Sequence, residues 1–187
     1  MTGRLIAILG PSGAGKDTLI AGALAMRPDL VWARRVITRA EQKGGEPWEG
    51  VDQAEFDRRV AVGAFAFWWL AHGLCYGVPG AIRDELALGR TVLFNGSREA
   101  LPEIRAVFPG LGVIAITAPP DVLAARLAGR GRERAADIAR RLERASWPVP
   151  DDALIVTNNS GVDEGTVALL AAIDQCVSSD LTSGAIE

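Results

Sequence analysis

The stretch Gly10-Pro11-Ser12-Gly13-Ala14-Gly15-Lys16-Asp17-Thr18 constrains this chain more than any other. An apolar run, Leu5–Leu9, precedes it, and residues with helical patterning, Thr18–Met26, follow. Strand, glycine loop and helix, in that order, form the setting a phosphate-binding loop requires. Glycines let the backbone turn with its N–H groups aimed inward, as a nest for an anion. The helix N-terminus adds a partial positive charge, and Lys16 a full one for β- and γ-phosphates. After the lysine the general motif places Ser or Thr to hold Mg²⁺, and here that position is Asp17. The loop predicts binding of a nucleoside triphosphate.

A chain of 187 residues, 49% hydrophobic and 23% charged, is expected to form one domain with a substantial core. No segment reaches the roughly 18 apolar residues a membrane span needs. The run at Leu5 is too short for a signal peptide, so a cytoplasmic protein is expected, with no membrane partner. Cys75 and Cys176 lack metal-ligand spacing and read as thiols of a reducing compartment. The net charge of −3 argues against a general nucleic-acid binder. Of the 20 Lys and Arg, only Lys16 and Lys43 are lysine. Arg126, Arg130, Arg132, Arg134, Arg140, Arg141 and Arg144 face only Glu133, Asp137 and Glu143 along 126–144, a local surplus of four positive charges. That segment is either a solvated helix face with i,i+4 pairs or an arginine set for phosphates.

The runs Leu5–Leu9, Thr91–Phe94, Val113–Ile116 and Ala153–Val156 are short and continuously apolar, as buried parallel strands are. Helical patterns cover Thr18–Met26, Ala81–Leu88, Ala100–Val107, Asp121–Leu127 and Ile138–Ala145, with a last helix over about Glu164–Val177 and a frayed tail. Pro79 and Pro120 stand where helix starts are expected, Gly89 and Gly129 where helices end. The alternation predicts an α/β fold of three layers around a central parallel sheet. Residues 31–78 break the rhythm with a turn at Gly44-Gly45-Glu46-Pro47 and most of the aromatic residues, Trp48, Phe56, Phe65, Phe67, Trp68, Trp69 and Tyr76. They read as an inserted subdomain of antiparallel strands whose aromatic stripe is core.

A phosphate loop, an insertion carrying Arg34, Arg35 and Arg39, and an arginine-rich helix pair together suit phosphoryl transfer between two phosphorylated molecules. Donor and acceptor are both anions, and arginines offset their repulsion in the transition state. The loop GPSGAGK, Ile37-Thr38-Arg39, Gly45-Glu46, Glu55-Phe56, Tyr76-Gly77, Arg126-Leu127, Arg130-Gly131, Ile138, Arg141-Leu142 and Asn158-Asn159 resemble guanylate kinases in order and spacing over nearly the whole chain. That resemblance implies a P-loop kinase fold with core 1–33, 79–127 and 139–187, an acceptor-binding insertion at about 34–78, and an arginine-rich lid at about 128–138. Yet positions that read guanine in that family differ. Two acids are replaced by Phe67 and Asn95, and a tyrosine at the acceptor phosphate by Trp48. Losing those hydrogen-bond acceptors removes much of the discrimination for a base.

Lys16-Asp17, the run Val36-Ile37-Thr38-Arg39, Trp69, Gly73–Val78, Asn95-Gly96-Ser97-Arg98 and Arg130-Gly131-Arg132-Glu133 resemble instead the ribose 1,5-bisphosphate phosphokinases of bacterial phosphonate utilisation. In that family Lys-Asp is the regular form of the loop, and Asn-Gly-Ser-Arg is absent from guanylate kinases. The resemblance implies that ATP phosphorylates the 1-phosphate of ribose 1,5-bisphosphate, giving 5-phospho-alpha-D-ribose 1-diphosphate (PRPP) and ADP. An acceptor phosphate is already anionic near neutral pH, so no strong base is needed. Accordingly His72, the one histidine, is given a structural or binding role. Gly10–Lys16 hold the ATP phosphates, and Asp17 or Thr18 serves Mg²⁺. By the resemblance to guanylate kinases, Arg130 and Arg141 are expected to act on the transferred group, and Arg134 and Asn158 are expected to face the adenine side. Arg35, Arg39, Tyr76, Asn95, Ser97 and Arg98 are expected to hold the bisphosphate. Glu55 and Phe56 are expected to be structural. Two other readings stand beside this one: a guanylate kinase acting on GMP, and a non-catalytic guanylate-kinase-like binding module. The sequence leaves a homodimer open.

Overall fold

The computed structural model describes residues 3–41, 46–128, 148–159 and 161–183, with side chains to 178. Strands and helices alternate in the order β1 (Leu5–Leu9), α1 (Lys16–Met26), β2 (Val31–Trp32), β3 (Val36–Ile37), β4 (Glu49–Gly50), α2 (Gln53–Ala61), β5 (Phe65–Ala71), β6 (Leu74–Pro79), α3 (Ile82–Ala87), β7 (Val92–Asn95), a 3-10 turn (Arg98–Ala100), α4 (Leu101–Val107), β8 (Gly112–Thr117), α5 (Pro120–Ala128), β9 (Leu154–Thr157) and α6 (Val162–Ser183). The central sheet has strand order β2-β7-β1-β8-β9, with β2 parallel to β7 and β8 parallel to β9. All five residues of β1 are buried, as its unbroken apolar run requires of a strand covered on both faces. The α/β class expected from the alternation is the one observed. The chain separates into two compact units, Met1–Ala7 with Arg27–Gly112, and Ile8–Met26 with Val113–Glu187.

In the first unit a second sheet runs β4-β3-β6-β5. It is mixed rather than wholly antiparallel, because β3 pairs with β4 in parallel while β6 runs antiparallel to both β3 and β5. His72 and Gly73, both at positive φ (53° and 72°), make the two-residue turn between Ala71 and Leu74. That backbone is what the twist of a tight hairpin demands, so His72 is an exposed turn residue. Along β5, Phe67 and Trp69 point inward and Trp68 and Leu70 outward, the period-two alternation of a strand. Asp52 caps α2, its carboxylate accepting from the Glu55 N–H at 2.8 Å. Phe56, 1% exposed, packs with Val36 and Cys75 and lies 4.8 Å from the Phe65 ring.

Asp52, not Glu55, is the cap of α2, and Glu55 is the hub of an ion-pair group. It accepts from Arg58 and Arg59, each at 2.7 Å, and Arg59 also reaches Glu49. Arg58 and then Arg59 hold the Glu55 carboxyl down from the usual 4.5 to about 2. The folded state therefore favours the ionised form, and this stabilisation is present above pH 4.5 and lost as pH falls toward 2. Glu55→Gln is expected to lower the melting temperature slightly at pH 7, by an amount that shrinks below pH 4.5 and vanishes near pH 2. A difference that stays constant from pH 7 to pH 3 would refute this.

In the second unit α1 packs on α6, with Leu19 and Ala23 buried on one helix and Leu169 and Ile173 on the other. Several boundaries differ from expectation. Val31-Trp32, at the start of the stretch that breaks the alternation but within core 1–33, pairs with Val92 and Leu93 in the central sheet. Pro79 ends β6, and α3 starts at Ile82. Ala100 lies in the 3-10 turn ahead of α4. The final helix runs past Val177 to Ser183, because neither Gly nor Pro interrupts the chain between Gly165 and Gly184. The turn expected at Gly44 and Gly45, the helix expected over Ile138–Ala145 and the lid expected at about 128–138 fall largely outside the described residues.

Candidate active site

The loop between β1 and α1 has the backbone its sequence calls for. Gly10, Gly13 and Gly15 all have positive φ (147°, 90° and 87°). At two of them a side chain has no room: a Cβ on Gly10 would stand 2.1 Å from the Ile116 carbonyl oxygen, and one on Gly15 would stand 2.4 Å from Asn158 Nδ2. The Ala14 N–H donates to Pro11 O (3.3 Å), and α1 begins at Lys16 with Leu19 N–H donating to Gly15 O (3.0 Å). Lys16 Nζ donates to the carbonyls of Gly10 (2.8 Å) and Pro11 (3.0 Å), which holds the ammonium against the loop. Asp17 is half-buried in the first turn of α1, whereas Thr18 is exposed. Pro11 and Ser12 are half-buried, and Ala14 is fully buried.

Asn158 stands behind this loop. It is 4% exposed, its amide Nδ2 donates to Ala14 O at 2.8 Å, and its backbone N–H donates to Thr117 O at 2.7 Å. Its side-chain donor is thus engaged with the loop backbone, an orientation the adenine assignment did not anticipate. Arg126 Nη1 approaches the same carbonyl at 3.5 Å. A loop whose central carbonyl is held from behind keeps its N–H groups turned the other way, which suits an anion.

In the first unit, Arg35, Tyr76 and Asn95 come together through Glu46. Arg35 donates through Nε to Glu46 Oε1 (2.8 Å) and through Nη2 to Oε2, and Asn95 Nδ2 donates to the same Oε2 (2.7 Å). The Arg35 guanidinium lies 5.2 Å from the Tyr76 ring centre and 5.9 Å from that of Trp69. Those two rings are stacked 5.4 Å apart at 8°. Arg39 sits elsewhere, its guanidinium 4.4 Å over the ring of Trp48, whose Nε1 donates to Arg39 O. Trp48 is buried and fixes an exposed arginine by cation–π contact. Ser97 and Arg98 are half-buried where the chain leaves β7 for the 3-10 turn. Burial lowers the Arg98 pKa from the usual arginine value, opposed by Glu99. Phe67 is core, packed edge-on against Phe94 (5.1 Å) and Phe108 (5.7 Å).

Glu46 and Trp69 are the side chains the structure adds to the expected set. The pair Gly45-Glu46 was visible in the sequence, but nothing local marks an acid as the partner of an arginine eleven residues earlier. Arg130, Arg134 and Arg141 lie outside the described residues. Among the described residues no cluster of three or more His, Cys, Asp or Glu could hold a metal, and no helix is long and apolar enough to cross a membrane.

No family model matches the chain. Curated relatives do. Ribose 1,5-bisphosphate phosphokinase PhnN from Agrobacterium fabrum is 45% identical over 180 residues, covering 94% of this chain and 98% of that protein. The protein of the same name from a Ruegeria species is 48% identical over 176 residues, 92% of each chain. A bifunctional ribose 1,5-bisphosphokinase-thymidine phosphorylase from Cupriavidus necator is 47% identical over 175 residues, but this chain spans only 29% of its length. Among solved structures, guanylate kinase from Anaplasma phagocytophilum superposes with a TM-score of 0.67 at 20% identity, over 93% of this chain and 86% of that one. A gluconokinase from Sinorhizobium meliloti gives 0.55 at 18%, over 99% and 98%. These two likenesses speak for the fold alone. The identity to proteins of the same length decides the family: the chain belongs to the ribose 1,5-bisphosphate phosphokinases.

Proposed function

We infer that this chain transfers the γ-phosphoryl group of ATP to the 1-phosphate of ribose 1,5-bisphosphate, giving PRPP and ADP in phosphonate catabolism. The observation that carries the reading is 45% identity to a named ribose 1,5-bisphosphate phosphokinase across 98% of that protein's length. In the reaction an acceptor phosphate oxygen attacks the γ-phosphorus, the bond to the β–γ bridging oxygen breaks, and ADP leaves. The attacking oxygen is already anionic, so no histidine or carboxylate has to remove a proton.

The residues divide by the charge they meet. The Gly10–Lys16 backbone and the Lys16 ammonium cradle the ATP phosphates. Arg35, Arg39, Asn95, Ser97 and Arg98, with Tyr76, are assigned to the sugar bisphosphate, whose two anionic ends call for guanidinium forks rather than base-reading acids. Arg130 and Arg141 are assigned to the transferred group and Arg134 to the nucleotide. Asn158 acts through the loop it holds.

Mg²⁺, when bound, would offset the negative charge on the ATP phosphates during transfer. It takes hard oxygen ligands, typically one or two carboxylates beside the phosphates, and the half-buried Asp17 carboxylate fits that need better than the exposed Thr18. Asp17→Ala is expected to raise the Mg²⁺ concentration for half-maximal rate by about tenfold or more. An unchanged Mg²⁺ titration would assign the metal elsewhere. ATP and a sugar phosphate as substrates accord with a cytoplasmic location. The product identifies the reaction: phosphorus NMR after incubation with ATP and ribose 1,5-bisphosphate should show a new diphosphate on C1, and a spectrum with ADP and inorganic phosphate alone would reject the assignment.

A further inference from the structure

We propose that Glu46 is a positioning residue of the acceptor site, turning the Arg35 guanidinium so that its free edge meets a phosphate of the sugar; this rests on the reading above. Glu46 and Arg35 side chains are only 7% and 12% exposed. A carboxylate so far from water needs donors, and Glu46 has three: Arg35 Nε, Arg35 Nη2 and Asn95 Nδ2. The guanidinium is consequently fixed along one edge by the carboxylate and on one face by Tyr76. What remains is the Nη1 edge, which makes no hydrogen bond among the described residues. A buried ion pair adds little to stability compared with an apolar pair of the same size, so its use here is better explained by orientation. A guanidinium held in place loses less rotamer freedom when it binds, and its edge matches phosphate oxygens. Glu46 touches no substrate in this account and acts only through Arg35.

The test compares Glu46→Ala and Glu46→Gln with the parent protein in three readouts: the KM for each substrate, the melting temperature, and calorimetric titration with ribose 5-phosphate, a sugar carrying one phosphate. Glu46→Ala should raise the acceptor KM and weaken ribose 5-phosphate binding by about tenfold or more, with the ATP KM within about twofold. Glu46→Gln, which keeps one acceptor oxygen, should fall between, and it stands in if the alanine variant does not fold. A merely structural glutamate would lower the melting temperature and the active fraction without separating the two KM values. The proposal is overturned if the acceptor KM does not move, if the ATP KM rises by the same factor, or if ribose 5-phosphate binds parent and variants alike or not at all. Should the parent fail to turn over ribose 1,5-bisphosphate, the functional reading falls, and the calorimetric comparison alone decides the role of Glu46.

Discussion

Lys16→Ala should lower kcat by about 10³-fold or more, the largest loss of activity expected from one side chain in this protein. The ammonium is the one full positive charge on the loop itself, and the loop N–H groups supply only partial charges. The next residue, Asp17, is an acid, and Arg126 Nη1 is directed at the Ala14 carbonyl of the loop. The fold should survive. Lys16 is half-buried, and its hydrogen bonds to the Gly10 and Pro11 carbonyls contribute about 1 kcal/mol each, a few degrees in melting temperature for a chain of this size. Single-turnover kinetics with a melting curve on the same sample separates the two effects. A variant that melts normally and turns over at a tenth of the parent rate or better would contradict the loop's assignment.

Gly10→Ala attacks the same site through the backbone. Its φ of 147° is one that side chains rarely adopt, and the added Cβ would stand 2.1 Å from the Ile116 carbonyl oxygen, which belongs to β8. Relief needs either the loop or the strand to move. The combined strain and overlap is expected to cost about 2–4 kcal/mol, lowering the melting temperature by about 5–15 °C. The surviving folded protein should also bind ATP more weakly, since displaced N–H groups no longer converge. Differential scanning calorimetry with an ATP titration checks both. A variant with the parent's melting temperature and ATP affinity would mean that the loop does not need this glycine.

The phosphate loop was legible because every part of it is local: Leu5–Leu9, the glycines and Lys16 lie within a dozen residues, and the strand matches the apolar run residue for residue. The other main-sheet strands were found for the same reason, as continuous apolar runs. β2 was not, since a strand of two residues has no period to detect and only its pairing with Val92 and Leu93 defines it. The aromatic stripe of β5 was read as core, and half of it is: Trp69 is buried, while Trp68 is 47% exposed on the opposite face. What no local pattern could carry is the joining of distant residues. Asn158 is 144 positions from the carbonyl it holds, and Asn95 is 49 from Glu46. Asn95 shows the difference most clearly. By resemblance it stands where guanylate kinases carry a guanine-reading acid, and in the fold its amide donates to the Glu46 carboxylate. An aspartate there would set two carboxylates against each other.

The acceptor proposed for this protein is a sugar bisphosphate without a base. The most direct measurement is ADP release by the intact protein with ATP, Mg²⁺ and either ribose 1,5-bisphosphate or GMP at equal concentration. Rapid ADP formation with ribose 1,5-bisphosphate and none above background with GMP is the expected result. Turnover of GMP with ribose 1,5-bisphosphate inert would contradict it.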